Sequence, residues 1–115
     1  MAREAAAQSQ VLLKNSGNLL PLAGNAKVYV AGRNANNLGN QAGGWTLTWQ
    51  GFSGNDNQQP GTTILQGIQQ VAPNAKVTYS VDGTAPTAGS DVAVVVVGET
   101  PYAEGFGDVG GPRAR

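Results

Sequence analysis

Hydrophobic and polar positions alternate with two different periods along the chain, and the periods locate the elements. Between Arg3 and Lys14 there is no Gly or Pro, and Ala5, Ser9 and Leu12 stack beside Ala6, Gln10 and Leu13 at helical offsets, predicting a first helix over 3–14. Asn15, Ser16 and Gly17 supply the stop, and Pro21 bars a regular element from the connection that follows. Lys27 to Ala31 (KVYVA) is β-branched and aromatic, a strand that ends at Gly32. From Gly32 to Gly44 the chain has four Asn, one Gln and four Gly, a pattern too polar and too flexible for a regular element. Alternation returns in Trp45-Thr-Leu-Thr-Trp49, read as a short extended piece. A second helix spans Thr62 to Ala72, with Thr62 or Thr63 as N-cap and Ile64, Leu65, Ile68, Val71 and Ala72 as its apolar face. Lys76 to Val81 and Asp91 to Val97 complete the strands, and the unbroken β-branched run of the last reads as the centre of a parallel sheet covered on both sides.

This order predicts an α/β fold: an open, mainly parallel sheet with flanking helices, a partial α/β sandwich of flavodoxin-like layering. Such sheets bind ligands beyond the carboxyl ends of their strands, and the two richest loops leave from those ends, after Ala31 and after Val97. Three strands and two helices are few for such a domain and leave edges and a face open, so a larger domain or a dimer is expected.

Composition narrows the chemistry. The 115 residues include no His and no Cys, which excludes Cys/His zinc sites, a Ser-His-Asp triad, thiol nucleophiles and disulfides, and neither a metal nor a cofactor is expected. Seven basic residues balance seven acids, so the basic footprint of a nucleic-acid binder is missing. The longest strongly apolar run, Val92 to Val97, falls far short of the roughly 20 residues of a membrane span. No apolar signal-peptide core follows Met1.

The balance is uneven along the chain. Residues 1–76 hold five basic side chains against two acids, whereas 77–112 hold Asp82, Asp91, Glu99, Glu104 and Asp108 and no base. A solvated acidic end and a site built from acids both fit this asymmetry. Gly32, Gly39, Gly43 and Gly44 match neither the dinucleotide fingerprint nor a P-loop. Trp49 is expected in the core, whereas Trp45, following two glycines in a polar loop, is expected to present its face outward. A flat indole among Asn, Gln and carboxylates suits a sugar better than a nucleotide. Glu99 stands at the carboxyl end of the third strand, where partial burial would raise its pKa and suit it to general acid catalysis.

Four stretches carry a resemblance: REAAAQSQVLLKNSGNLLPL over 3–22, GGWTLTWQG over 43–51, GTTIL over 61–65 and VGETPYAEGFGD over 97–108. Together they resemble the second domain of glycoside hydrolase family 3, the β-glucosidases and exo-β-glucanases. The resemblance implies a two-domain retaining enzyme, in which a (β/α) barrel supplies an Asp nucleophile and the following α/β sandwich a Glu acid/base. By motif the acid/base is Glu99, with Glu104 as runner-up, and Trp45, flanked by Gly44 and Thr46, matches the position that stacks on the sugar of the +1 subsite. A β-glucoside ligand is implied, and full-length relatives are often secreted or periplasmic.

Departures from the family pattern set further expectations. Residues 1–109 read as part of that domain, roughly its first half, and 110–115 (GPRAR after Gly110) as a non-family tail. No barrel precedes residue 1, so the chain is expected to be weak or inactive alone and to form a homodimer or act with a barrel domain. A non-catalytic carbohydrate-binding module and a structural fragment are the alternatives.

Overall fold

The computed structural model describes residues 1–56 and 60–107; Asp108 and the expected tail at 110–115 lie outside the described residues. The element order is α1 (Ala2–Gln8), a 3-10 turn (Ser16–Asn18), β1 (Lys27–Ala31), a second 3-10 turn (Arg33–Asn36), α2 (Leu38–Ala42), α3 (Ile64–Val71), β2 (Lys76–Ser80) and β3 (Val92–Val95). All three strands are parallel, in the order β2-β1-β3, with Val28 opposite both Val77 and Val92. This is the open parallel α/β sheet expected from the sequence, but its centre is different. β1 is central and buried from Val28 to Ala31, while the apolar run of β3 lies at an edge with Val95 and Val97 exposed. Its β-branched composition reports suitability for burial on two faces; among the described residues only one face of β3 is covered.

That covered face holds the core. Val28 and Val30 of β1 pack with Leu65 and Ile68 of α3, flanked by Val77 and Tyr79 of β2 and by Val92, Val94 and Val96. α3 starts where the Thr predicts. Thr63 Oγ1 accepts the Gln66 amide at 3.2 Å and Gln66 Oε1 accepts the Thr63 amide at 2.9 Å, a reciprocal capping box. The helix narrows the expected apolar face: Leu65 is buried and Ile68 and Ala72 are half-buried, whereas Ile64 and Val71, seven residues apart on the flank, are exposed.

The other face is crossed by the connection from β2 to β3, which must pass over β1 to keep the strands parallel. Tyr29, pointing away from the core by strand alternation, is buried beneath it and donates its phenol hydrogen to the Ala85 carbonyl at 2.8 Å.

Three local expectations are corrected. The first helix ends at Gln8 rather than Lys14, and Val11, Leu12 and Leu13 are exposed. A helix of two turns is marginal without a surface to pack on, and α1 buries no residue. The segment 32–44 is more regular than its composition suggests, because Asn side chains organise it alongside the packing of Ala35 into the core. Asn37 Oδ1 caps α2 by accepting the Asn40 amide at 2.9 Å and also accepts the Gly54 amide at 2.9 Å. Trp45–Trp49 is not extended. Trp45 and Leu47 have φ of 60° and 62°, and the Trp45 amide bonds the Trp49 carbonyl at 3.0 Å, closing a compact loop. Alternation there lacks a neighbouring strand to pair with.

Candidate functional site

Three loops converge at the carboxyl ends of β1 and β3: 32–37, 43–51 and 96–107. The third carries the acids yet has neither strand nor helix among its described residues, so its path is set by the loop it lies on. Successive residues make the grip. Trp49 donates its indole hydrogen to the Glu104 carboxylate, Gln50 Oε1 accepts the Ala103 amide at 2.8 Å, and Gly51 lies so close to Pro101 that an added Cβ would sit 2.7 Å from the proline Cβ. Gly44 backs directly onto the Tyr102 carbonyl, where an added Cβ would lie 3.0 Å from the carbonyl carbon.

Glu99 lies four residues past the end of β3 and lines an open groove of about 1190 Å³ on the sheet face opposite α3. Ala31, Ala93 and Val95 contribute apolar surface to this groove, and Arg33, Asp82 and Tyr102 contribute polar groups. Glu99 holds the Tyr102 phenol's pKa above its ordinary value, by hydrogen bonding first and by its charge second, with desolvation third. On the opposite wall the Asp82 carboxylate accepts the Thr84 hydroxyl at 2.7 Å and the Thr84 amide at 3.1 Å, and these bonds lead in holding its pKa below the usual value.

The expected partial burial of Glu99 is not found: the residue is exposed in this chain, because the groove has a floor and no roof. Glu104 is exposed as well and is engaged by Trp49. Trp45 is 70% exposed, as its context predicts, but Trp49 is 52% exposed rather than in the core. The Trp49 ring lies 6.4 Å from both Trp45 and Phe106, so a chain of three aromatic rings runs from the 43–51 loop to the rim of the groove. The Thr46 hydroxyl donates to the Ala42 carbonyl at 3.1 Å and secures the turn after α2.

The structure thus brings Gly44, Trp45 and Glu104 to one pair of interlocked loops, with Glu99 at the groove end of the same assembly. Sequence reasoning did not single out Tyr102 or Gln50. The one available signal for Tyr102 was its place three residues after Glu99, across a proline turn. Among the described residues no group of three or more acidic side chains could hold a metal ion, and no helix is long and apolar enough to cross a membrane.

Residues 10–110 match the Glycosyl hydrolase family 3 C-terminal domain. A lysosomal beta glucosidase of Dictyostelium discoideum is 37% identical over 130 aligned residues, which take in 93% of this chain and 16% of that protein. The crystal structure of an exo-1,3/1,4-beta-glucanase from a Pseudoalteromonas species superposes with a TM-score of 0.83 at 45% identity, covering 94% of this chain and 14% of that one. A mutant of the same glucanase gives 0.81 and 44%, covering 94% and 18%. The chain therefore spans less than a fifth of the length of each of these relatives.

Proposed function

Because the chain belongs to the glycosyl hydrolase family 3 C-terminal domain family, we propose that it is the acid/base-bearing part of a retaining glycoside hydrolase of β-glucosidase type, acting on β-linked glucosides. The observation that carries this is the position of Glu99: it lies four residues past the end of the last parallel strand and lines the groove. As general acid Glu99 gives its proton to the glycosidic oxygen as that bond breaks; as general base it then takes a proton from the water that releases the sugar. Tyr102 holds the carboxyl group in place through both steps. Glu104 is the weaker candidate, since the Trp49 indole engages its carboxylate.

Double displacement also takes an ionised carboxylate about 5 Å from the first. We assign that role to an Asp on a barrel domain, which would also roof the groove and exclude water from Glu99. The 115 residues by themselves are then weak or inactive, and their open β3 edge is expected to be met by a barrel-bearing partner or by a second copy. A clean monomer at micromolar concentration in size-exclusion chromatography with light scattering would end the dimer reading.

The test is a chimera in which this chain replaces the matching stretch of the Pseudoalteromonas exo-glucanase. Glu99→Gln should lower kcat on aryl β-glucosides with poor leaving groups by about 10²–10⁴-fold and do less to those with good ones. Equal kcat for both proteins on the poor substrates would remove Glu99 from the mechanism.

A second reading is favoured by the exposed Trp45 and Trp49 faces: the chain binds glucan without cleaving it. Calorimetry with laminaribiose or cellobiose separates the two, since binding by the isolated chain that Trp45→Ala abolishes, with no turnover in the chimera, fits only a binding module.

A further inference from the structure

The acid-bearing loop has no secondary structure of its own, and Tyr102, three residues after Glu99, is bracketed by two anchors. On its N-terminal side Pro101 is wedged against Gly51; on its C-terminal side the buried Ala103 donates its amide to Gln50 Oε1 at 2.8 Å. The bond to Ala103 fixes main chain, which a side-chain contact does not. It also settles the orientation of the Gln50 amide, because only the oxygen can receive an N–H. The cost of that orientation is visible: Gln50 Nε2 is buried without a hydrogen-bond partner among the described residues. What Gln50 contributes to the site is therefore its acceptor.

We propose that Gln50 is a positioning residue for Glu99, fixing through the Ala103 amide the loop that carries the carboxylate into the groove both residues line. The inference rests on the assignment of Glu99 as acid/base, and deepens it by naming what holds that group in place. It places control of the acid in the Trp-containing loop, so that Trp49 and Gln50 couple the sugar-facing aromatic rings to the catalytic group.

Isotope-labelled chain tests this by NMR. In the unsubstituted protein the Ala103 amide should exchange more slowly than the nearby Gly105 amide; equal rates overturn the proposal before any variant is made. Gln50→Met, similar in length but without the acceptor, should speed Ala103 exchange by about ten-fold and bring the Tyr102 ring titration to that of Glu99→Gln. Gln50→Glu keeps an acceptor in either protonation state and should retain the protected amide and the displaced tyrosine titration. A Gln50→Met protein that keeps both signatures, or a Gln50→Glu protein that loses both, overturns the proposal. In the chimera Gln50→Met should lower kcat with KM unchanged. If Glu99→Gln leaves turnover intact while the NMR signatures respond as stated, the acid/base assignment has failed and the positioning contact has not.

Discussion

Gly44→Ala isolates the contact between the two loops. The new methyl carbon would sit 3.0 Å from the Tyr102 carbonyl carbon, with the oxygen nearer still, and 3.7 Å from the Ala103 Cβ. Carbon atoms rest about 3.5–4.0 Å apart, and the obstacle is backbone, which has no rotamer to escape into. The 96–107 loop must therefore move off by roughly 0.5–1 Å, at about 1–3 kcal/mol for overpacking. At about 4 °C per kcal/mol for a chain of this size, the melting temperature should fall by about 4–12 °C. Gly43→Ala is the matched control. Gly43 has φ 82° and ψ −177°, a region essentially reserved for glycine, and nothing lies within 4 Å of an added Cβ. Its cost is about 1–3 kcal/mol of backbone strain with no push on the other loop. Thermal melts should thus look alike, whereas near-ultraviolet circular dichroism of Trp45 and Trp49 should change mainly in Gly44→Ala, as the Trp49–Glu104 and Gln50–Ala103 bonds part. Ala103 amide exchange should follow the same order. If Gly44→Ala keeps the native near-ultraviolet spectrum and a protected Ala103 amide, the loops do not depend on this contact and the reasoning fails.

Thr63→Ala removes the capping box of α3 and the 3.0 Å bond from the Thr63 hydroxyl to Asn36 Oδ1; urea unfolding should show a loss of about 1–2 kcal/mol, mostly recovered in Thr63→Ser. Asp82 has a folded pKa below 3.8 because Thr84 and Ser80 donate to its carboxylate. The stabilisation is therefore present above the unfolded value near 3.8 and is withdrawn as the pH falls through the lower folded value. Melting temperatures of Asp82→Asn and the parent chain should converge as the pH falls well below 3.8, with the parent higher at about pH 6; a constant difference across that range would refute the linkage.

How much of this was legible in the sequence depended on the range of the interaction involved. The three strands and α3 were readable because the β-branched and aromatic run Lys27–Ala31, the alternation of Lys76–Ser80, the β-branched run of β3, and the Thr63 cap with Leu65 and Ile68 behind it are local patterns that the fold keeps. Glu99 and Trp45 were singled out through a motif and through context. Their neighbours were not, because Gln50 lies 53 residues from Ala103, and Trp49 lies 55 residues from Glu104. No local periodicity reports a pairing at such a separation.

Periodicity, proline and glycine placement and the absence of His and Cys therefore determined, from the sequence alone, a parallel α/β sheet whose side-chain chemistry excludes imidazole and thiol. The tertiary structure decided which strand is central, where α1 stops, and that the Trp45–Trp49 segment closes into a loop that grips the acids rather than adding a strand. Each of these depends on whether a partner surface is present. A short helix or an alternating segment keeps its regular form only where packing or a paired edge offsets its conformational entropy, and that partner is supplied by residues distant in the chain.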